Sequence, residues 1–209
     1  MGDDRGDQAP AMDGAAISSF DADPARRVGA AGQVSGGGLE RSSFTAIYRT
    51  ELAWVAATLR RLGVPATDLP DAAQKVFTEV WKQRASYQSE RPIRPWLFAF
   101  AYRVVGDHQR GAWRRRAVFE EVDVAREEAG GAEERLDAAR NRQLVLDALG
   151  ALDFDRRAAF VTMDIEGMSA PDAAVALGIP LGTAYSRLRL AREDFSAAVK
   201  RLRLKRGER

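Results

Sequence analysis

The chain has 209 residues, 45% of them hydrophobic and 30% charged, with 32 basic and 30 acidic side chains and a net charge of +2. At roughly 100–200 residues per domain, this allows one globular domain or two small ones. With no cysteine and a single histidine, His108, the chain has no disulfide framework, thiolate metal site, cysteine nucleophile or multi-histidine metal site. A histidine-based triad is disfavoured for the same reason. The longest apolar run, Trp96 to Tyr102, is too short to cross a bilayer, and the acidic N-terminus lacks an apolar stretch of signal-peptide length. The expectation is a cytoplasmic protein with no membrane insertion.

Charge is distributed unevenly. Residues 1–43 hold 4 basic and 7 acidic groups, and 44–116 hold 13 and 6. Residues 117–140 hold 3 and 8, and 141–209 hold 12 and 9. Two basic bodies on either side of an acidic stretch suggest two surfaces for a polyanion, with a connector that a polyanion would repel.

Residues 1–43 are rich in Gly, Ala, Asp and Ser, with Phe20 the only aromatic, and read as a disordered tail. From Phe44 on, Ile47, Tyr48, Leu52, Val55, Leu59 and Leu62 recur at three- and four-residue steps, which predicts a helix with one buried face ending at Gly63. Asp68 is the expected N-cap of a second helix, with Pro70 in its first turn. Its apolar pairs are Ala72/Ala73, Val76/Phe77 and Val80/Trp81. A polar loop, Ser86 to Arg91, leads into a third helix whose apolar face is Ile93, Leu97, Phe100, Ala101, Val104 and His108. Residues 117–140 read as an acidic linker with partial helical character. Periodicity returns at Asn141 with Leu144, Val145, Ala148, Leu149 and Leu152, followed by a helix holding Ala159, Phe160, Met163 and Ile165. No segment shows strand alternation. The expected fold is all-α: two small helical bundles, 44–116 and 141–199, with a basic tail at 200–209.

Two segments carry chemistry. Ser169-Ala170-Pro171-Asp172 is a capping box that opens a short helix, Gly178-Ile179-Pro180 breaks it, and Gly182-Thr183 opens another. That is the plan of a helix-turn-helix, whose second helix enters the major groove by its N-terminal half. The outward residues there are Thr183, Tyr185, Ser186, Arg187 and Arg189, able to meet base edges and phosphates. A helical hairpin with a solvated basic face fits the same pattern. The second segment is the third helix, where Arg103, Asp107, Arg110 and Arg114 form one stripe with Trp96, Tyr102 and Trp113 close by. Arginines interleaved with aromatics suit single-stranded nucleic acid; a wet helix face is the plainer reading.

The motifs resemble one known family. Asp71-Ala72-Ala73-Gln74-Lys75-Val76-Phe77-Thr78-Glu79-Val80-Trp81 is similar to the second-region signature of the extracytoplasmic-function (ECF) sigma factors, of the sigma-70 family. Pro95-Trp96-Leu97-Phe98-Ala99-Phe100-Ala101-Tyr102-Arg103 through Arg110 resembles their tryptophan-led DNA-melting helix. Glu166-Gly167-Met168-Ser169 and Leu177 through Leu188 resemble their fourth-region helix-turn-helix.

The resemblance implies a protein that is not an enzyme and needs no cofactor or metal. It implies region 2 at 44–116, region 4 at 141–199 and partners in core RNA polymerase (clamp coiled coil and flap), promoter DNA and an anti-sigma factor. Asp71, Gln74, Lys75, Phe77 and Trp81 would meet the polymerase, though Phe77 and Trp81 also suit a bundle core. Tyr87 would lie near the pocket for a flipped minus-ten base, and Trp96, Arg103, Asp107, Arg110 and Arg114 would hold the melted strand. Thr183, Tyr185, Ser186, Arg187 and Arg189 would read the minus-thirty-five duplex.

The sequence also departs from the family's pattern. Tyr102-Arg103 stands where Arg-Asn is common, Pro70 replaces a usual glutamate, and Tyr185 and Leu190 occupy positions often basic. A stand-alone helix-turn-helix regulator would explain only the second body. A sigma mimic that titrates an anti-sigma factor would not need the arginines at 103, 110, 114, 187 and 189.

Overall fold

Seven α-helices and no strand make up residues 39–88, 90–111 and 132–207, which the computed structural model describes. Residues 1–38 of the expected tail at 1–43, the end of the expected first bundle from 112, with Trp113 and Arg114, and the expected linker as far as 131 lie outside the described residues.

The first helix, α1, spans Arg41–Arg61, starting slightly before Phe44. Val55, Leu59 and Leu62 line its inner face and are fully buried. It stops where Gly63 takes φ +102, a backbone region closed to most side chains. A 3-10 turn, Ala66–Asp68, leads into α2, Leu69–Lys82. The expected cap by Asp68 is not made: the residue already sits near helical geometry (φ −99, ψ −5), and its carboxylate accepts from Thr67 Oγ1 at 3.0 Å. Pro70 in the first turn starts the helix instead, where a missing N–H leaves no bond unmade.

The third helix, α3, is Ile93–Gly111. Trp96, Leu97, Phe98, Ala99, Phe100 and Ala101 are consecutive and all buried. An amphipathic surface helix would alternate, so burial right round the axis means that α3 is covered on more than one side. In the first bundle α1 and α2 pack on it; α6 of the second bundle covers it from outside.

The second bundle comprises α4 (Ala132–Gly150), α5 (Phe154–Phe160, widening into a π-helical turn at Val161–Ile165), α6 (Ala170–Leu177) and α7 (Leu181–Lys205). Its first helix begins nine residues before the expected start at Asn141, so the end of the acidic linker is helical. The last helix continues to Lys205, into the expected basic tail, because no glycine or proline interrupts it and Ala198 is still buried. Two short side chains set the starts of α5 and α6. Asp153 accepts the Asp155 N–H at 3.0 Å, and Ser169 accepts the Asp172 N–H at 3.2 Å while donating to Asp172 Oδ2 at 2.6 Å. Gly178, at φ +67, ends α6 and turns the chain into α7. One continuous apolar core joins both bundles, from Val55 and Phe100 on one side to Leu149, Leu177 and Leu188 on the other.

Candidate nucleic-acid and polymerase interface

The second bundle presents the start of α7. Ala184, Leu188 and Ala191 are buried at steps of four and three, which turns Leu181, Gly182, Tyr185, Ser186 and Arg189 outward. Tyr185 is 55% exposed and Leu181 43%. Arg189 is held by Glu193 one turn on, Nη1 to Oε1 at 2.6 Å, an exposed pair that a phosphate could displace at little cost. Thr183 is half-buried, and the Ser186 hydroxyl donates to the Thr183 carbonyl at 3.0 Å.

Arg187 does not share that outward face. Its guanidinium donates to Asp155 Oδ2 at 2.6 Å, and the other nitrogen, Nη1, is buried with no acceptor among the described residues. The reason is its place beside α5, whose first turn carries Asp155. The same carboxylate accepts the Tyr102 hydroxyl of α3 at 2.8 Å. Burial, then the Asp155 bond and charge, push the Tyr102 phenol well above its ordinary value, with Arg187 opposing in part.

In the first bundle, Asp71, Gln74 and Lys75 lie on one exposed strip of α2, opposite the buried Ala72, Ala73, Val76 and Val80. Phe77 is 3% exposed and belongs to the core, with the rings of Tyr48 and Phe44 at 4.8 and 6.4 Å. Trp81 is half-buried between Phe44, at 4.9 Å, and the Arg84 guanidinium, 4.0 Å above its ring. Of the five expected polymerase contacts, the three polar ones are exposed, Trp81 is half-buried and Phe77 lies in the core.

Trp96 likewise sits in the core, 1% exposed, edge-on to Phe100 at 4.9 Å and tilted against Tyr87 at 5.0 Å. Its ring fixes the loop by packing on Tyr87, whose hydroxyl donates to the Arg91 carbonyl at 2.7 Å. Burial, with help from the Glu90 charge, raises the Tyr87 phenol above its usual range. Arg103 is half-buried with its guanidinium 4.7 Å from the Phe100 ring, and Asp107 is exposed. The side chains of His108 and Arg110, and all of Arg114, lie outside the described residues.

Sequence reasoning missed a polar set between the bundles. The carboxylate of Glu166 accepts Trp54 Nε1 at 2.5 Å, Arg61 Nη1 at 2.6 Å and Thr58 Oγ1 at 3.3 Å. Arg157 is a buried cation that donates to the carbonyls of Leu62, Gly150 and Leu152 at 3.1, 3.1 and 2.9 Å. Burial lowers its pKa, opposed by Asp153. One signal was available: Trp54, Thr58 and Arg61 recur at steps of four and three, a polar line beside the apolar face of α1.

Known proteins match in the same order. The family description Sigma-70 region 2 covers residues 47–115, and Sigma-70, region 4 covers 142–195. The RNA polymerase sigma factor CnrH of Cupriavidus metallidurans is 31% identical over 157 residues, which span 69% of this chain and 80% of that protein. The chain belongs to the sigma-70 family. Within it, the ECF RNA polymerase sigma-E factor of Escherichia coli is 26% identical over 148 residues, 66% of this chain and 78% of its own length. CnrH, solved in complex with the cytosolic domain of CnrY, superposes with a TM-score of 0.56 at 26% identity, covering 85% of this sigma factor and 95% of that chain. The sigma factor RpoE from Bartonella quintana, solved with the anti-sigma factor NepR, gives a TM-score of 0.55 at 23% identity over 76% and 98%, and so shares the fold. As an ECF sigma factor, the protein functions in transcription initiation. No helix among the described residues is long and apolar enough to cross a membrane.

Proposed function

We propose that the protein binds core RNA polymerase in the cytoplasm and brings it to promoters that the two bundles recognise separately. The observation that carries this is the face of α7: Tyr185, Ser186 and Arg189 stand outward at the start of a helix whose other side is buried, as a major-groove reader requires. Asp71, Gln74 and Lys75 form the polymerase contact, with Phe77 and Trp81 shaping the helix from behind. Arg103, Asp107, Arg110 and Arg114 hold the unpaired strand, and Trp96 and Tyr87 build the loop that receives a flipped base. Melting is driven by binding energy, a few kcal/mol of unstacking per step being offset by contacts to the freed bases. No catalytic group, metal or cofactor enters that account. An anti-sigma factor is a further partner, as the sigma factor RpoE from Bartonella quintana has in NepR.

The test is run-off transcription with purified core polymerase on the upstream region of the protein's own gene. A specific transcript that depends on the protein and weakens with Arg110→Ala or Arg189→Ala is expected. Retardation of that duplex by the protein alone, with no transcript in the presence of polymerase, would instead mark a stand-alone helix-turn-helix regulator.

A further inference from the structure

The start of α7 carries a row of side chains that its own fold leaves unused. Leu181, Tyr185 and Arg189 follow at steps of four, so they stand one above another along one line of the helix. All three are exposed, and Gly182 and Ser186 flank them on the same outward side. Among the described residues, nothing hydrogen-bonds to the Tyr185 hydroxyl and no aromatic ring packs on it. Gly182 is equally open: a Cβ added there would meet nothing within 4 Å. Internal packing therefore gives no reason for a glycine at that position, whereas a surface that comes close to the helix does.

Outward cations are missing from the first two turns of that face. From Leu181 to Leu188 only Arg187 is charged, and Asp155 holds it at 2.6 Å. The first exposed cation is Arg189. What these turns offer a major groove is an apolar wall, Leu181 and the Tyr185 ring, beside the small hydroxyl of Ser186. The apolar feature that a base pair shows in that groove is the C5-methyl group of thymine. We infer that Tyr185, with Leu181 beside it, reads a thymine methyl in the minus-thirty-five duplex and so sets specificity at that base pair. Arg189, four residues on, stands about 6 Å further along the helix axis and meets a phosphate or a guanine edge. The inference deepens the assignment of α7 as the promoter reader and rests on it. Position 185 is also one at which the sequence departs from its family's pattern, so the reading is particular to this chain.

Replacing a thymidine by deoxyuridine removes that methyl and leaves the base pairing unchanged. The full chain is assembled with core polymerase, and the affinity of the holoenzyme for the run-off template is measured by retardation. Each thymine of the minus-thirty-five element, on either strand, is replaced in turn. Wild-type holoenzyme is expected to lose about fourfold in affinity at one or two thymines, the effect of leaving one methyl unburied. Tyr185→Ala, an exposed site given the best helix former, keeps the fold, binds more weakly and no longer distinguishes deoxyuridine from thymidine there. Tyr185→Phe keeps the ring and with it the discrimination. Loss of discrimination in Tyr185→Phe would assign the contact to the hydroxyl and overturn the inference. Equal discrimination in Tyr185→Ala, or a wild type indifferent to every thymine, overturns it too. Arg189→Ala checks the underlying assignment separately, since it weakens binding while the discrimination persists. If neither Arg189→Ala nor Tyr185→Ala changes duplex affinity, α7 is not the reader and the inference falls with that assignment. If Arg189→Ala alone does, α7 reads the duplex and Tyr185 does not.

Discussion

Gly63 and Arg157 meet where α1 ends, so that a side chain at position 63 would compete with the guanidinium for one space. A Cβ on Gly63 would stand 2.2 Å from Arg157 Nη1 and 3.5 Å from its Cζ, on a backbone with φ +102. Gly63→Ala therefore carries two separable penalties. The backbone strain of an L-residue in that region is about 1–3 kcal/mol. The clash is relieved only if the guanidinium moves, which breaks its bond to the Leu62 carbonyl, and a hydrogen bond to a charged group contributes about 1.5–3 kcal/mol. The sum is about 2.5–6 kcal/mol. In an Arg157→Ala background the second penalty has already been incurred, so Gly63→Ala should cost only the strain. The difference, about 1.5–3 kcal/mol, is the coupling energy of a double-mutant cycle. Urea unfolding followed by helical circular dichroism measures all four corners, with the slope m required to stay constant across them. A Gly63→Ala penalty equal in both backgrounds, within about 0.5 kcal/mol, would refute the claim that the guanidinium occupies the glycine's missing side-chain space.

Three further outcomes are expected. Trp96→Ala should destabilise the protein by about 3–5 kcal/mol in the same urea assay, because a fully buried indole leaves a cavity; a loss below about 1 kcal/mol would mean that the ring is not packed as described. Ser169→Ala should cost about 1 kcal/mol by removing the α6 cap, with the reading face of α7 left intact, so that holoenzyme still retards promoter duplex. The Tyr102 phenol, raised by burial and then by Asp155, should ionise well above the ordinary tyrosine range in an absorbance titration. Its folded-state pKa lies above the unfolded value near 10, so its contribution to stability is complete below that pH and falls as pH rises beyond it. Tyr102→Phe should remove one tyrosine from that late step.

The helices and their order were legible in the sequence because each is fixed locally. Apolar residues at steps of three and four define the faces of α1 and α7, Gly63 and Gly178 end helices by conformations other residues resist, and Ser169-Ala170-Pro171-Asp172 starts one through its own side chains. The helix-turn-helix and the exposed strip of Asp71, Gln74 and Lys75 follow from such patterns alone. Three features needed the tertiary structure. Trp96 of α3 and Phe77 of α2 could each serve a partner or the core, and only packing decides that both are core residues. Arg187 lies beside the buried stripe of Ala184, Leu188 and Ala191, but its partner Asp155 is 32 residues away in sequence and only the packing of α5 against α7 brings the two together. Glu166 reads as part of a turn motif until α1, more than 100 residues earlier, supplies its three donors. Periodicity records which way a side chain leaves its own helix. What waits for it there is set by a different part of the chain, and a carboxylate gives no local sign of the partner that will neutralise it.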